Sequence, residues 1–168
     1  RTMYLTTLLV LAHRRLSRER NRDWLAACRA LPRRRWEEIH HLVIFPVYKE
    51  GLDILRPSLE ALKAAHYPQN RFIVVMAFED RYAAGREHAR ELENEFGAAF
   101  GGYLTTFHPD KLPGEKRLKG ANASWAGRKA KALLEKKRIP LEQVIVSCFD
   151  ADTCVDREYF GCLTYHFV

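Results

Sequence analysis

The chain has 168 residues, of which 47% are hydrophobic and 29% charged, and a formal net charge of +7. That is enough chain for one domain with a real core, and too many apolar residues for a disordered one. No apolar run reaches the roughly 18 residues of a complete transmembrane helix. The four cysteines (Cys28, Cys148, Cys154, Cys162) show neither a CxxC pair nor zinc spacing, and nothing in them demands disulfides.

The positive charge is concentrated at the start. Residues 1–36 hold ten arginines (Arg1, Arg14, Arg15, Arg18, Arg20, Arg22, Arg29, Arg33, Arg34, Arg35) against Glu19 and Asp23, a balance of +8, so the rest sums to −1. A basic piece joined to a near-neutral domain suggests an anionic surface for that piece, either membrane lipid or nucleic acid, or else a solvated helical face. Nucleic acid is disfavoured, because only Trp24 and Trp36 interleave with the basic residues. Residues 2–20 have helical spacing through Tyr4, Leu5, Leu8, Leu9, Ala12 and Leu16. The apolar part, residues 3–12, would extend about 15 Å as a helix against a hydrocarbon core of about 30 Å. No small-residue cleavage site follows it, which excludes a signal peptide. Residues 24–31 predict a short helix stopped by Pro32, and Arg33 to Trp36 read as a linker.

Residues 41–47 predict the first strand, which Pro46 should end or place at an edge. Tyr48-Lys49-Glu50-Gly51 reads as a loop and 53–65 as a helix with Ile54, Leu55, Leu59 and Leu62 on one side. Residues 72–77 form a continuous apolar run, as expected of a strand covered on both faces. A charged helix over 81–96 ends at a candidate C-cap, Gly97. A weaker strand over 102–107, a loop over 108–117 and a helix over 119–137 follow. Val144 begins another apolar strand, in which Cys148 reads as a small buried hydrophobe. Residues 157–168 start a last helix in which the sequence stops. Strand and helix alternate throughout, which predicts an α/β fold: a mostly parallel, Rossmann-like sheet with helices on both faces. Ligands of such sheets bind beyond the carboxyl ends of the strands, where loops 46–51, 78–81 and 150–154 fall.

The last of these loops carries Asp150 and Asp152. If the strand stays extended, the two share a face about 7 Å apart at Cα. Carboxylates about 6 Å apart repel by roughly 3 kcal/mol at an effective dielectric of about 20, and a hard divalent cation converts that repulsion into binding. Mg²⁺ takes one or two carboxylates and fills its remaining positions with water and phosphate oxygens. The plainer reading is a pair of acids that cap the following turn. Lys119 and Asn122 open a helix, and a helix N-terminus with a lysine is an anion site. Trp125 reads as core, and His40, His41, His66 and His108 as structural residues.

Three motifs occur in order: Pro46-Val47-Tyr48-Lys49-Glu50 after a strand, Lys119-Gly120-Ala121-Asn122 opening a helix, and Asp150-Ala151-Asp152-Thr153 after a strand. Together they resemble family 2 glycosyltransferases, inverting nucleotide-sugar enzymes with a GT-A fold, especially the membrane polysaccharide synthases related to cellulose synthase. The resemblance covers about residues 41–168. It implies a nucleoside diphosphate-sugar donor, a glycan or lipid acceptor, and Mg²⁺ or Mn²⁺ as cofactor. Pro46, Tyr48 and Glu50 would hold the nucleoside, with Glu79 or Asp80 reading the base; Asp80 competes for a helix N-cap instead. Lys119 and Asn122 would lie near the diphosphate. Asp150 would take the ribose, and Asp152 the metal and diphosphate. The acceptor's general base lies downstream in the family. The resemblance therefore implies the donor-binding half of a longer enzyme, on residues 37–168. Residues 1–36 would be its juxtamembrane segment at the cytoplasmic face. The alternative is an α/β nucleotide-binding or scaffold module without chemistry.

Overall fold

The computed structural model describes residues 2–110 and 119–168, without the side chains of Thr2, Arg34 and Lys119. Its elements in chain order are α1 (Thr2–Arg20), α2 (Trp24–Arg29), β1 (His40–Val47), α3 (Leu52–Lys63), β2 (Phe72–Glu79), α4 (Gly85–Phe96), β3 (Gly102–His108), α5 (Lys119–Lys136), β4 (Val144–Cys148) and α6 (Tyr159–Phe167). The four strands form one parallel sheet in the order β3-β2-β1-β4. The sheet is an α/β layer of the expected kind, with helices on both faces.

Period-two alternation divides the central strands between two cores. Val43, Phe45, Val74, Met76 and Phe78 face α2, α3, α4 and α6, meeting Leu25, Leu59, Leu92 and Phe160. Leu42, Ile44, Ile73, Val75 and Ala77 face α5 alone, where Ala126, Ala130 and Leu134 recur every fourth residue. The chain walks outward from β1 to β2 to β3 over one face and returns through α5 on the other. The strand order therefore reverses between β1 and β4, and in open α/β sheets that reversal is where a crevice opens for ligands.

Several expectations need correction. Among the described residues β4 lies at the edge of the sheet, and one row of its side chains is left uncovered: Val146 is 59% exposed, and Cys148 is exposed rather than buried. β1 runs on through Pro46 to Val47, although it lies inside the sheet. The reason is parity. Phe149 N–H donates to Ile44 O at 3.0 Å as β4 ends, and residue 46 faces the same side as residue 44, so the N–H that proline lacks would point where β4 has already left. α4 begins at Gly85, because Tyr82 N–H to Glu79 O and Gly85 N–H to Tyr82 O fold residues 79–85 into turns. Gly97 is the C-cap of α4, as expected, with φ −57° rather than a left-handed conformation. The supposed linker is a 3₁₀ turn over Arg34–Glu38, and it buries Trp36 beside Tyr67.

The basic stretch divides between solvent and core. α2 buries Trp24, Leu25 and Cys28 against α6, whereas the described side chains of α1 are exposed from Met3 to Leu16. No helix among the described residues is long and apolar enough to cross a membrane. α2 and α6 approach so closely that a Cβ on Gly161 would lie 2.9 Å from Trp24 Cβ and 3.2 Å from Leu25 N. Gly161→Ala is therefore expected to cost about 1–3 kcal/mol through forced separation of the two helices, read as a lower urea midpoint.

Candidate functional site at the carboxyl edge of the sheet

The loops after β1, β2 and β4 all leave the carboxyl edge of the sheet. The two aspartates do not continue β4. The strand ends at Cys148, and residues 150–153 form a turn closed by Thr153 N–H to Asp150 O at 2.9 Å. Ala151, between the acids, is buried, and its carbonyl accepts from buried Ser58 Oγ of α3 at 2.8 Å. Phe149 packs on Phe45, Tyr159 and Phe160. The loop is thus pinned by the residue before the acids and the residue between them. Both acids stay at the surface, and the Asp152 carboxylate has no hydrogen bond or ion pair among the described residues. Removing the Ser58 hydroxyl strands a buried carbonyl at a cost of about 1–3 kcal/mol. Ser58→Ala is expected to speed amide exchange at residues 149–153 while exchange in β2 is unchanged.

In the β1 loop, Tyr48 is 47% exposed, leaving its ring accessible. Glu50 turns back on its own backbone. Its Oε2 accepts from Tyr48 N–H at 2.6 Å and Lys49 N–H at 3.0 Å, so that oxygen serves the loop before any ligand. Pro46 pairs with Ala77, which ties this loop's root to the end of β2.

At the end of β2 the two acids separate by role. Asp80 is paired with Arg86 at 2.5 Å, and the N-cap of α4 is Ala84, so Asp80 caps no helix. Glu79 is 8% exposed, with Arg81 Nε at 3.6 Å and His108 Nδ1 at 3.7 Å from its Oε2. Arg81 also lays its guanidinium 4.9 Å from the centre of the Tyr48 ring, linking the β1 and β2 loops. Sequence reasoning passed over Arg81. Its place two residues beyond Glu79 could have suggested it, whereas nothing local could have suggested Ser58.

α5 opens at the same edge. Asn122 is buried and donates Nδ2–H to Ala77 O at 2.6 Å, while its Oδ1 is buried without a partner among the described residues. The Lys119 side chain lies outside the described residues. Trp125 is half-buried, its ring edge-on to His108 at 5.9 Å.

No protein-family model matches this chain, and none of the curated proteins matches it. The site therefore stands on its own chemistry. Asp150 and Asp152 offer hard oxygen donors at the rim where strand order reverses, and a donor set of that kind suits Mg²⁺ or Mn²⁺ better than a softer ion.

Among the described residues, the group that brings three candidate ligand atoms within 4.8 Å lies elsewhere: Asp23, His66 and Glu158. Every one of them has a structural task. Asp23 Oδ1 caps α2 through Ala26 N–H at 2.7 Å. Glu158 accepts from Trp24 N–H at 3.0 Å and pairs with His66 Nδ1 at 2.7 Å. This cluster binds α2 and α6 to the end of α3.

Proposed function

We propose that this chain binds a nucleoside diphosphate-sugar with Mg²⁺ or Mn²⁺ at the carboxyl edge of the sheet, between the β1 and β4 loops. In this reading it is the donor-binding part of an inverting glycosyltransferase acting on a glycan or lipid acceptor, as its resemblance to family 2 implies. The observation that carries the reading is the Asp150-Ala151-Asp152 turn. A buried alanine holds two exposed acids at the point where strand order reverses. Asp152 is exposed and offers hard oxygen donors to a divalent cation, and a bound cation would supply charge neutralisation to a departing diphosphate.

The chain's own groups do the rest. The accessible Tyr48 ring gives a flat apolar surface for a base, beside the Arg81 cation. Glu79 reads the base in preference to Asp80, whose carboxylate is committed to Arg86. The first amides of α5 carry the partial positive charge of a helix N-terminus, and Asn122 fixes that helix to the strand end. Asp152 holds the cation and Asp150 the ribose. The resemblance puts the acceptor's general base beyond the second aspartate, so binding of donor without turnover is expected of these residues.

Calorimetry with UDP-glucose and GDP-mannose tests this. Binding of at least one is expected to be on the order of tenfold tighter with Mn²⁺ than with chelator present. Absence of any metal-dependent heat contradicts it. Metal-independent binding favours a nucleotide-binding module without transfer chemistry, a reading to which the self-capped Glu50 loop lends weight.

A further inference from the structure

The amino edge of the sheet, opposite the donor loops, carries a cavity of about 390 Å³ where β1, β2 and β3 begin and α5 ends. His40, Lys137, Arg138 and Gln143 line it together with Ile73 and Ile139, and no acid among the described residues does. Arg71 stands beside it. His40 Nδ1 lies 3.0 Å from Glu38 O and therefore carries the proton, which leaves Nε2 to accept from Arg71 Nη1 at 3.2 Å. Burial, then Arg71 and Lys137, lower the pKa of His40, as expected of a ring with both cations near it.

These cations are not needed to close the helix. The backbone N–H groups of Lys137, Arg138 and Ile139 already donate to Leu133 O, Glu135 O and Leu134 O, each at 3.0 Å. The negative end of a helix amounts to about half an elementary charge, which the full charges of Arg71, Lys137 and Arg138 outweigh. None of the three makes an ion pair among the described residues, and Glu38, just before β1, is held instead by Gln143 Nε2 at 2.9 Å. Arg138 also takes φ 57°, the left-handed region that glycine favours. A glycine would close the same turn without strain, so the arginine brings the cavity a charge that the fold does not require. Lys137 is accommodated in its turn by Gly102, where a Cβ would lie 3.2 Å from Lys137 Cε and 2.9 Å from Ile73 Cδ1.

We propose that this cavity binds a phosphate group, carried by inorganic phosphate or a soluble phosphomonoester, through Lys137 and Arg138, with Arg71 adding to the field. Hydrogen bonds from guanidinium and ammonium groups to phosphate are the strong kind, and the planar arginine fork matches two phosphate oxygens. The site goes beyond the sugar-donor reading and shares no residue with it. Each can fail without the other.

The test is a titration of the 168-residue chain with sodium phosphate, followed by its backbone amide signals, with sodium chloride lowered to keep the ionic strength constant. Saturating shifts are expected at residues 101, 102, 137–139 and 143, and glucose 1-phosphate should move the same signals. Lys137→Gln, at an exposed position, should weaken the response about tenfold without moving the urea midpoint. Arg138→Gly should weaken it about as much yet raise that midpoint, because the strain at φ 57° is gone. An arginine that merely ends the helix would give the gain in stability with an unchanged phosphate response, and that result overturns the proposal. So do shifts that grow without saturating, which report ionic screening. Shifts confined to residues 48–51 and 149–153 overturn it too, since the phosphate then sits at the donor loops. The last arm uses vesicles of phosphatidic acid: a chain that binds them and ignores free phosphate overturns the proposal in favour of a membrane-facing patch.

Discussion

Asp152→Ala is expected to remove metal-dependent nucleotide binding while leaving the fold as stable as before. The two halves of that expectation have separate causes. Asp152 is exposed and makes no hydrogen bond or ion pair among the described residues, so its truncation should stay within about 0.5 kcal/mol in a urea titration. A charged contact to a bound ion–diphosphate pair is worth about 1.5–3 kcal/mol, or about 10- to 100-fold in affinity. Ala151 holds the turn through its backbone carbonyl and its burial, so a side-chain change at 152 should not move the loop. An Asp152→Ala protein that binds nucleotide as well as the parent, with the same dependence on Mn²⁺, removes the acid pair from the site. An equally weakened Glu79→Gln with an unaffected Asp80→Asn would assign the base-reading acid.

Acid should destabilise the fold through His41. Its side chain is fully buried among the rings of Tyr67, Phe72 and Phe160, with Nε2 2.8 Å from Thr164 Oγ1. Burial, reinforced by neighbouring His40, lowers its pKa to about 3. In the unfolded chain the ordinary value of about 6.5 returns. Below about pH 6.5 the unfolded state takes up a proton that the native state refuses. The contribution of His41 is therefore whole above that pH and is lost as the pH falls towards 3. At about 1.4 kcal/mol per pH unit, the step from pH 7 to pH 5 removes about 2 kcal/mol. His41→Gln should be less stable at pH 7 yet lose less on acidification, and the difference in slope isolates His41 from His40, whose pKa is also lowered by burial. Parallel pH profiles for parent and variant contradict the assignment.

The fold was legible where the physics is local. β1 and β2 read as strands because their apolar runs serve two covered faces, and the helices between them follow from spacing. Legibility failed where a residue's surroundings depend on topology. β4 looks as apolar as its neighbours, but only the sheet order reveals it as an edge, and so exposes Val146 and Cys148. Pro46 looked like a stop, but it is tolerated because β4 ends two residues earlier in register. Trp36 sits among arginines in sequence, and long-range packing alone puts it in the core.

The candidate site followed the same division. The acids, the tyrosine and the helix start were visible as motifs. The groups that hold or neutralise them were not, because Ser58 reaches Ala151 across 93 positions and Arg81 finds Tyr48 only after two strands have paired. Asp80 and Glu79 looked interchangeable until Arg86 took one and His108 and Arg81 surrounded the other.

The most direct measurement is paramagnetic broadening of backbone amide signals by Mn²⁺ in the presence of a nucleoside diphosphate-sugar. The account predicts loss of signal at residues 48–51, 79–81 and 149–153, and none at His66. Broadening centred on Asp23, His66 and Glu158, with the aspartate loop untouched, would contradict it.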